Sequence, residues 1–323
     1  MPNLDSSYKP PFFFRNYHIS TIYASLLRKV NYREQVRERV ELKDGDFIDL
    51  DWSFSNEPRS DKALIILHGL EGNAQRPYVL GMARHFNQSG WDTAGVNFRG
   101  CSGEINRLFQ SYNAGASGDL EQVISYIISK NKYQKLAVTG FSLGGNLLLK
   151  YLGEGNELPK ELKAAVGISV PCDLYGSVQK LAENSNYIYA QKFIIQLKKQ
   201  LHLRKTHFPD QIKREEIDSC RSILDIDDLY TSRAHGYKNA EDYYKKSSSL
   251  QFLENIKIPT LLLNARNDNF LSNACFPVET AEKNSRLFLE IPEYGGHVGF
   301  IQKGIHTYSE ERALEFLSEK LKD

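Results

Sequence analysis

Short apolar runs, separated by helix-length stretches, constrain this chain more than any other feature of its sequence. The runs are Ala63–Leu67, Thr93–Val96, Leu136–Val138, Ala164–Val170, Thr260–Leu263 and Leu287–Ile291. Helix-like patterns lie near 77–88, 118–130, 144–152, 278–284 and 308–322. A strand buried on both faces reads as a continuous apolar run, and a helix between two such strands makes them parallel neighbours. The expected fold class is therefore α/β, a mostly parallel central sheet with helices on both faces. One connection breaks the rhythm. About 90 residues separate Val170 from Thr260, where a sheet crossover needs only about a dozen. The surplus is read as an insertion at 173–255. That leaves 36–172 and 256–323 as the core and 1–35 as an N-terminal arm.

Within the insertion, Tyr189, Phe193, Leu197 and Leu201 recur every fourth residue, which puts them on one helix face. Residues 192–214 carry Lys192, Lys198, Lys199, Arg204, Lys205, Lys213 and Arg214 against Asp210 alone. Such a run reads as a solvated helix face, with a basic surface for anionic lipid or a partner as the sharper alternative. At the start of the core, residues 36–54 alternate around Asp44-Gly45, a hairpin signal because this pair accepts the positive φ angles of a tight turn. The arm is aromatic-rich and predicted helical over Ile19–Val30. Its Pro10-Pro11-Phe12-Phe13-Phe14 segment is read as packing on the core, with insertion into a lipid interface as the alternative.

Charge excludes some functions. Lys and Arg number 41 against 40 Asp and Glu, so the basic excess expected of a general nucleic-acid binder is missing. Every apolar run falls far short of the ~20 residues of a transmembrane helix. The start, MPNLDSSYKPPFFF, does not read as a secretory leader. Cys101, Cys172, Cys220 and Cys275 form no CxxC pair, so reduced thiols and a cytoplasmic location are expected. The sequence contains neither a phosphate-binding GxxxxGK[ST] loop nor an HExxH zinc motif.

The chemistry centres on Gly140-Phe141-Ser142-Leu143-Gly144, placed between the run Leu136–Val138 and an apolar helix. G-x-S-x-G recurs by chance in unrelated chains, and its meaning comes from that context. A serine on a sharp strand-to-helix turn adopts a strained backbone, and side chains two residues to either side would clash. Its hydroxyl then projects at the carboxyl end of the sheet, beside the helix N-terminus. A serine hydroxyl is a weak nucleophile without a base, and the base needs an orienting acid. In chain order, Asp268 follows the run Thr260–Leu263 and His297 follows Leu287–Ile291. Gly295-Gly296 are expected to leave His297 on a flexible, uncluttered loop. Asp173 is the alternative acid and His306 the alternative base. The oxyanion hole is assigned to the backbone amides of Leu143 and of Leu70, in His68-Gly69-Leu70-Glu71-Gly72-Asn73. His68 is read as holding that loop, Arg99 as scaffolding through charge-assisted bonds, and Cys101 as a packed thiol.

Together HGLEGN (68–73), NFRGCSGE (97–104), GFSLGGN (140–146), NARND (264–268) and YGGHVGF (294–300) resemble the α/β-hydrolase superfamily, and within it the YheT-like (hydrolase 4 type) branch. The likeness continues upstream through Arg15–Tyr23 and Asp44–Phe47, and inside the insertion at His235–Tyr237 and Ala240–Tyr244. It departs at Ile105, where relatives often carry Pro, and at Asn113, where several carry His. The resemblance implies an α/β-hydrolase fold, a cap between the sixth and seventh core strands and the charge-relay set Ser142, Asp268 and His297. It also implies a serine esterase or lipase that needs no metal or organic cofactor. The implied partner is a small-molecule ester or a lipid, without nucleic acid. Short or medium acyl esters are the first expectation. A lipid-directed hydrolase in peripheral membrane contact, or a non-catalytic binding protein on the same fold, are the alternatives.

Overall fold

A computed structural model describes residues 3–32, 34–57 and 60–322; Met1, Pro2, Arg33, Pro58, Arg59 and Asp323 lie outside the described residues. The strands are β1 (Asn3–Leu4), β2 (Val36–Glu41), β3 (Phe47–Ser53), β4 (Lys62–Leu67), β5 (Asp92–Asn97), β6 (Lys135–Phe141), β7 (Leu162–Ile168), β8 (Thr260–Leu263) and β9 (Leu287–Glu290). They form one sheet in the order β1-β9-β8-β7-β6-β4-β5-β3-β2. β2 and β3 pair antiparallel, as do β3 and β5, and the other pairs are parallel.

Both faces of the sheet are buried, and the alternation of side chains assigns each residue to a face. Ile65, Leu67 and Val138 join the layer packed by Ser117–Ser129 and Leu143–Gly153. Leu64, Ile66 and Ala137 join the opposite layer, packed by Pro77–Gln88 and Tyr308–Lys320. Each fully buried aliphatic side chain contributes roughly 1.5–3 kcal/mol, so the two layers carry most of the stability. The hairpin turns where expected. Gly45 has φ +86°, and the Leu42 amide donates to the Asp46 carbonyl at 2.8 Å. The strand read to Val170 ends at Ile168, because Ser169 takes φ +52° and redirects the chain.

The arm differs from expectation in three ways. Asn3–Leu4 pairs with β9, a strand too short for periodicity to reveal. The helix starts earlier and stops sooner, running Tyr17–Ile22 and continuing in a wider turn over Tyr23–Leu27. Tyr8 is buried in the core, yet Phe12 and Phe13 are 76% and 73% exposed, so this part of the segment does not pack inward.

Between β7 and β8 the ordered elements are all helical, including Leu174–Ala182, Tyr187–His207 and Ala240–Ser247. On the long helix, Leu197 and Leu201 face a small core of their own with Ile194, Ile217 and Ile226. Phe193 packs against the same core, and both it and Tyr189 also lie edge-on to Phe270. The closing turn Ser249–Asn255 rests on Leu143–Gly153, where a side chain in place of Gly153 would meet the Phe252 carbonyl at 2.1 Å. The basic run 192–214 does not form one surface. Arg204 turns inward to donate to the carbonyls of Leu108 and Phe109, both at 2.9 Å. Lys198 donates to the carbonyls of Asp218 and Cys220, at 3.0 and 2.9 Å. Among the described residues, no helix is long and apolar enough to cross a membrane.

Candidate active site

Ser142 sits between β6 and Leu143–Gly153 with φ +51° and ψ −120°, a conformation costly for any residue but glycine. The glycines around it are required by contact rather than by their own φ. A Cβ on Gly140 would lie 2.5 Å from the Gly144 carbonyl oxygen, and one on Gly144 would lie 2.5 Å from that of His68. Ser142 occupies the N-cap position, yet its side chain makes no capping bond. Its hydroxyl instead lies 2.8 Å from His297 Nε2.

His297 Nδ1 lies 2.9 Å from Asp268 Oδ2. An ionised carboxylate can only accept, so Nδ1 carries the proton, and Nε2 of the neutral ring is left to accept from Ser142. The other carboxylate oxygen, Oδ1, accepts from the Phe270 amide at 3.0 Å, which fixes the acid in place. Both Asp268 and His297 are buried. Asp173 does not join them. It caps Leu174–Ala182 through the Gly176 amide at 3.2 Å and accepts from the Ser272 hydroxyl at 2.8 Å. His306 stacks against His85 and lies 3.5 Å from Glu310.

The loop carrying His297 is neither flexible nor uncluttered, contrary to the reading of Gly295-Gly296. A Cβ on Gly296 would lie 2.7 Å from the Tyr17 carbonyl, and one on Gly295 would lie 2.6 Å from Ala265 Cβ. The arm grips this loop. Thr21 Oγ1 accepts from the His297 amide at 2.9 Å, and Ser20 Oγ donates to the Gly295 carbonyl at 2.9 Å. Asn267 Oδ1 accepts from the Gly296 amide at 3.0 Å, Ser169 Oγ accepts from the Val298 amide at 2.8 Å, and Phe270 covers the imidazole with ring centroids 4.4 Å apart. No sequence signal singles out Thr21, Ser169 or Phe270. The resemblance over Arg15–Tyr23 brackets Thr21 without assigning it a role. Asn146, inside GFSLGGN, ties the site helix to the loop before Ser117–Ser129 and to the end of Ala240–Ser247 by donating to the carbonyls of Ala114 and Ser247, at 3.1 and 2.8 Å.

The loop after β4 comes close to the serine, for a Cβ on Gly69 would lie 3.0 Å from Ser142 Cβ. Among the described residues, neither the Leu70 nor the Leu143 amide donates to a protein acceptor, so both are open to a ligand. His68 holds this loop to the next. Its Nδ1 donates to the Gly69 carbonyl at 2.8 Å, and its Nε2 accepts from the Phe98 amide at 3.3 Å. Complete burial lowers its pKa to about 4 and keeps it neutral. Arg99 binds Asp119 through two bonds of 2.7 Å and Asp44 through another of 2.7 Å. Burial lowers its proton affinity, the paired carboxylates more than restore it, and the net pKa is raised. Burial pushes the Cys101 thiol well up, away from a reactive thiolate.

A cavity opens from Ser142 and His297 beneath the helices between β7 and β8. Its aliphatic wall includes Leu174, Val178, Leu181, Leu197 and Ile226. A second opening leads outward between the arm and the helix Tyr187–His207.

A family model described as alpha/beta hydrolase fold matches residues 62–304. The chain is 35% identical over 293 residues to the Escherichia coli (strain K12) protein named "Putative esterase YheT", which spans 89% of this chain and 85% of that one. It is 30% identical over 282 residues to the Homo sapiens "Phospholipase ABHD3", across 84% of this chain and 68% of that one. The solved esterase Pf2001 of Pyrococcus furiosus matches with a TM-score of 0.61 at 17% identity, over 91% of this chain and 96% of that one, a likeness of fold alone.

Proposed function

For a chain that belongs to the α/β-hydrolase fold family, in its YheT-like branch, we propose a serine hydrolase that cleaves carboxylic esters by way of an acyl-enzyme. Ser142 Oγ attacks the ester carbonyl as His297 Nε2 takes its proton. The tetrahedral oxyanion is held by the amides of Leu70 and Leu143, next to the positive end of the helix Leu143–Gly153. The imidazolium formed is stabilised by Asp268 and protonates the leaving alcohol. His297 then activates water to release the acid. The observation that carries this reading is one chain of two contacts. Ser142 to His297 is 2.8 Å and His297 to Asp268 is 2.9 Å, on a turn whose strain serves no other visible purpose.

Residues 173–255 act as the cap over this centre. The aliphatic wall they contribute suits the acyl chain of a short or medium ester. The relatives are named for ester and lipid substrates alike, among them a "Monoacylglycerol lipase" of Saccharomyces cerevisiae.

Fluorophosphonate labelling with peptide mapping tests the proposal. The probe is expected to modify Ser142 in the wild type and to leave Ser142→Ala and His297→Ala unlabelled. Turnover of a butyrate ester should fall about 10⁴–10⁶-fold in Ser142→Ala. A folded wild type that neither labels nor turns over would move the non-catalytic binding reading to the front.

A further inference from the structure

Two cavities meet at Ser142 and His297. The inner one, beneath the cap, has a mostly apolar wall of aliphatic and aromatic side chains, into which Arg99, Arg204 and Asp227 also reach. The outer one runs between the arm and the helix Tyr187–His207. Its rim is apolar, formed by Ile22, Leu26 and Ile188, while Glu71, Arg76 and Lys192 line its wall. Arg76 donates to the Glu71 backbone carbonyl, and the Glu71 carboxyl accepts from the Tyr112 hydroxyl at 3.0 Å. Among the described residues, neither Arg76 nor Lys192 forms an ion pair with a carboxylate. Burial, and then the Arg76 charge, lowers the Lys192 pKa. Burial raises the Glu71 pKa, while Tyr112 and Arg76 oppose it.

Two cations held in one half-buried wall repel each other, and Glu71 offsets at most one of them. Retaining such a positive excess beside a cavity is costly unless something negative enters it. Carboxylates elsewhere in the chain pair with basic residues, as Asp51 does with Arg37 and Asp49 with Arg39, whereas the Glu71 carboxyl accepts from the Tyr112 hydroxyl. An arginine fork and a lysine ammonium lining the same cavity suit a group with several charged oxygens.

We propose that the outer cavity is an anion subsite in which Arg76 and Lys192 hold a phosphate carried on the alcohol side of the substrate. This rests on the reading of Ser142 as the nucleophile. The mostly apolar inner cavity takes the acyl chain, which leaves the alcohol to depart past His297 and Val298 into the outer one. The phosphate belongs either to a water-soluble ester or to a lipid headgroup, and the apolar rim is compatible with both.

The test compares kcat/KM for butyryl glycerol and butyryl glycerol phosphate, two esters that differ only in the anion. The wild type is expected to prefer the phosphate ester by about tenfold or more, mostly through KM, with inorganic phosphate as a competitive inhibitor. Lys192→Met and Arg76→Gln should each shrink that preference by about tenfold, and Lys192→Arg should keep it. Phosphatidylglycerol in phosphatidylcholine vesicles forms the second arm. Hydrolysis there with the same Lys192 dependence assigns the phosphate to a lipid headgroup, and hydrolysis of the soluble ester alone assigns it to a soluble substrate. Either result supports the subsite. A wild type without preference, or variants that leave the ratio unchanged, overturns it. If the wild type cleaves neither ester, the hydrolase reading fails separately. Calorimetry of inorganic phosphate with Ser142→Ala then decides the subsite: binding that Lys192→Met abolishes keeps it, and no binding ends it.

Discussion

Thr21→Val tests whether the N-terminal arm positions the base. The substitution keeps the shape of the side chain and removes the oxygen that accepts from the His297 amide at 2.9 Å. That amide is buried, so losing its acceptor costs about 1–3 kcal/mol, more than the net worth of an ordinary hydrogen bond. For a chain of 323 residues the unfolding entropy is about 0.7 kcal/mol/K, so the melting temperature should fall by roughly 1.5–4 °C. The same loss lets the loop shift, and His297 Nε2 must remain within hydrogen-bond reach of Ser142 Oγ for proton transfer. A relaxation of this size should lower kcat by about tenfold, and fluorophosphonate labelling should slow by a similar factor. Calorimetry, butyrate-ester kinetics and labelling rates would be read on the same preparations. Thr21→Ser, which keeps the oxygen, should stay near wild type in all three. A valine variant that loses stability but keeps its kcat and labelling rate would refute the positioning argument. It would mean that the packing of Gly295 and Gly296 alone orients His297.

Three other perturbations follow from the same structure. Gly144→Ala places a methyl 2.5 Å from the His68 carbonyl oxygen, which forces apart the two segments that carry the proposed oxyanion amides. It should abolish labelling at Ser142 while circular dichroism still reports a folded chain, and an active Gly144→Ala enzyme would contradict the close approach. Arg28 holds buried Glu310 through contacts of 2.5 and 2.9 Å, so Arg28→Met should cost about 3–5 kcal/mol in a urea titration. Burial raises the Glu310 pKa, but His306 and Arg28 lower it further, so the net shift is downward. The stability due to this pair is therefore present above the ordinary carboxylate range and lost as pH falls through the depressed folded value, and Arg28→Met should flatten that acid limb. Asp227 is the opposite case. Burial raises its pKa to about 6, against smaller opposing effects from Thr231 and Tyr244, so the folded state holds a proton that the unfolded state has released. Stability should fall as pH rises from about 4 to 6, by on the order of 2–3 kcal/mol, and Asp227→Asn should remove that slope in melting-temperature profiles.

Much of the architecture is legible in short windows of residues. The run Ala63–Leu67 reads as a strand buried on both faces, and Asp44-Gly45 reads as a tight hairpin turn, and both form as read. The motif 140–144 is legible for the same reason. Strand, strained serine and helix are contiguous, so the clash that demands glycine at 140 and 144 is set by local backbone geometry. Chain order placed the candidates Asp268 and His297 after β8 and β9, and left Asp173 as a rival acid and His306 as a rival base.

The tertiary structure decided what depends on residues far apart in the chain. Asp173 and Asp268 both follow a strand, and only packing shows that one caps a helix while the other reaches His297. The paired glycines before His297 suggested freedom. In the fold they are where the arm, more than 270 residues earlier, lies against the loop. Arg204 belongs by composition to a basic run, yet its charge is satisfied by carbonyls nearly 100 residues away. Propensity and periodicity act over a turn or two of chain and leave their mark on neighbouring residues. Which buried donor meets which acceptor is settled only when distant segments compete for the same space, and no single window of sequence records that outcome.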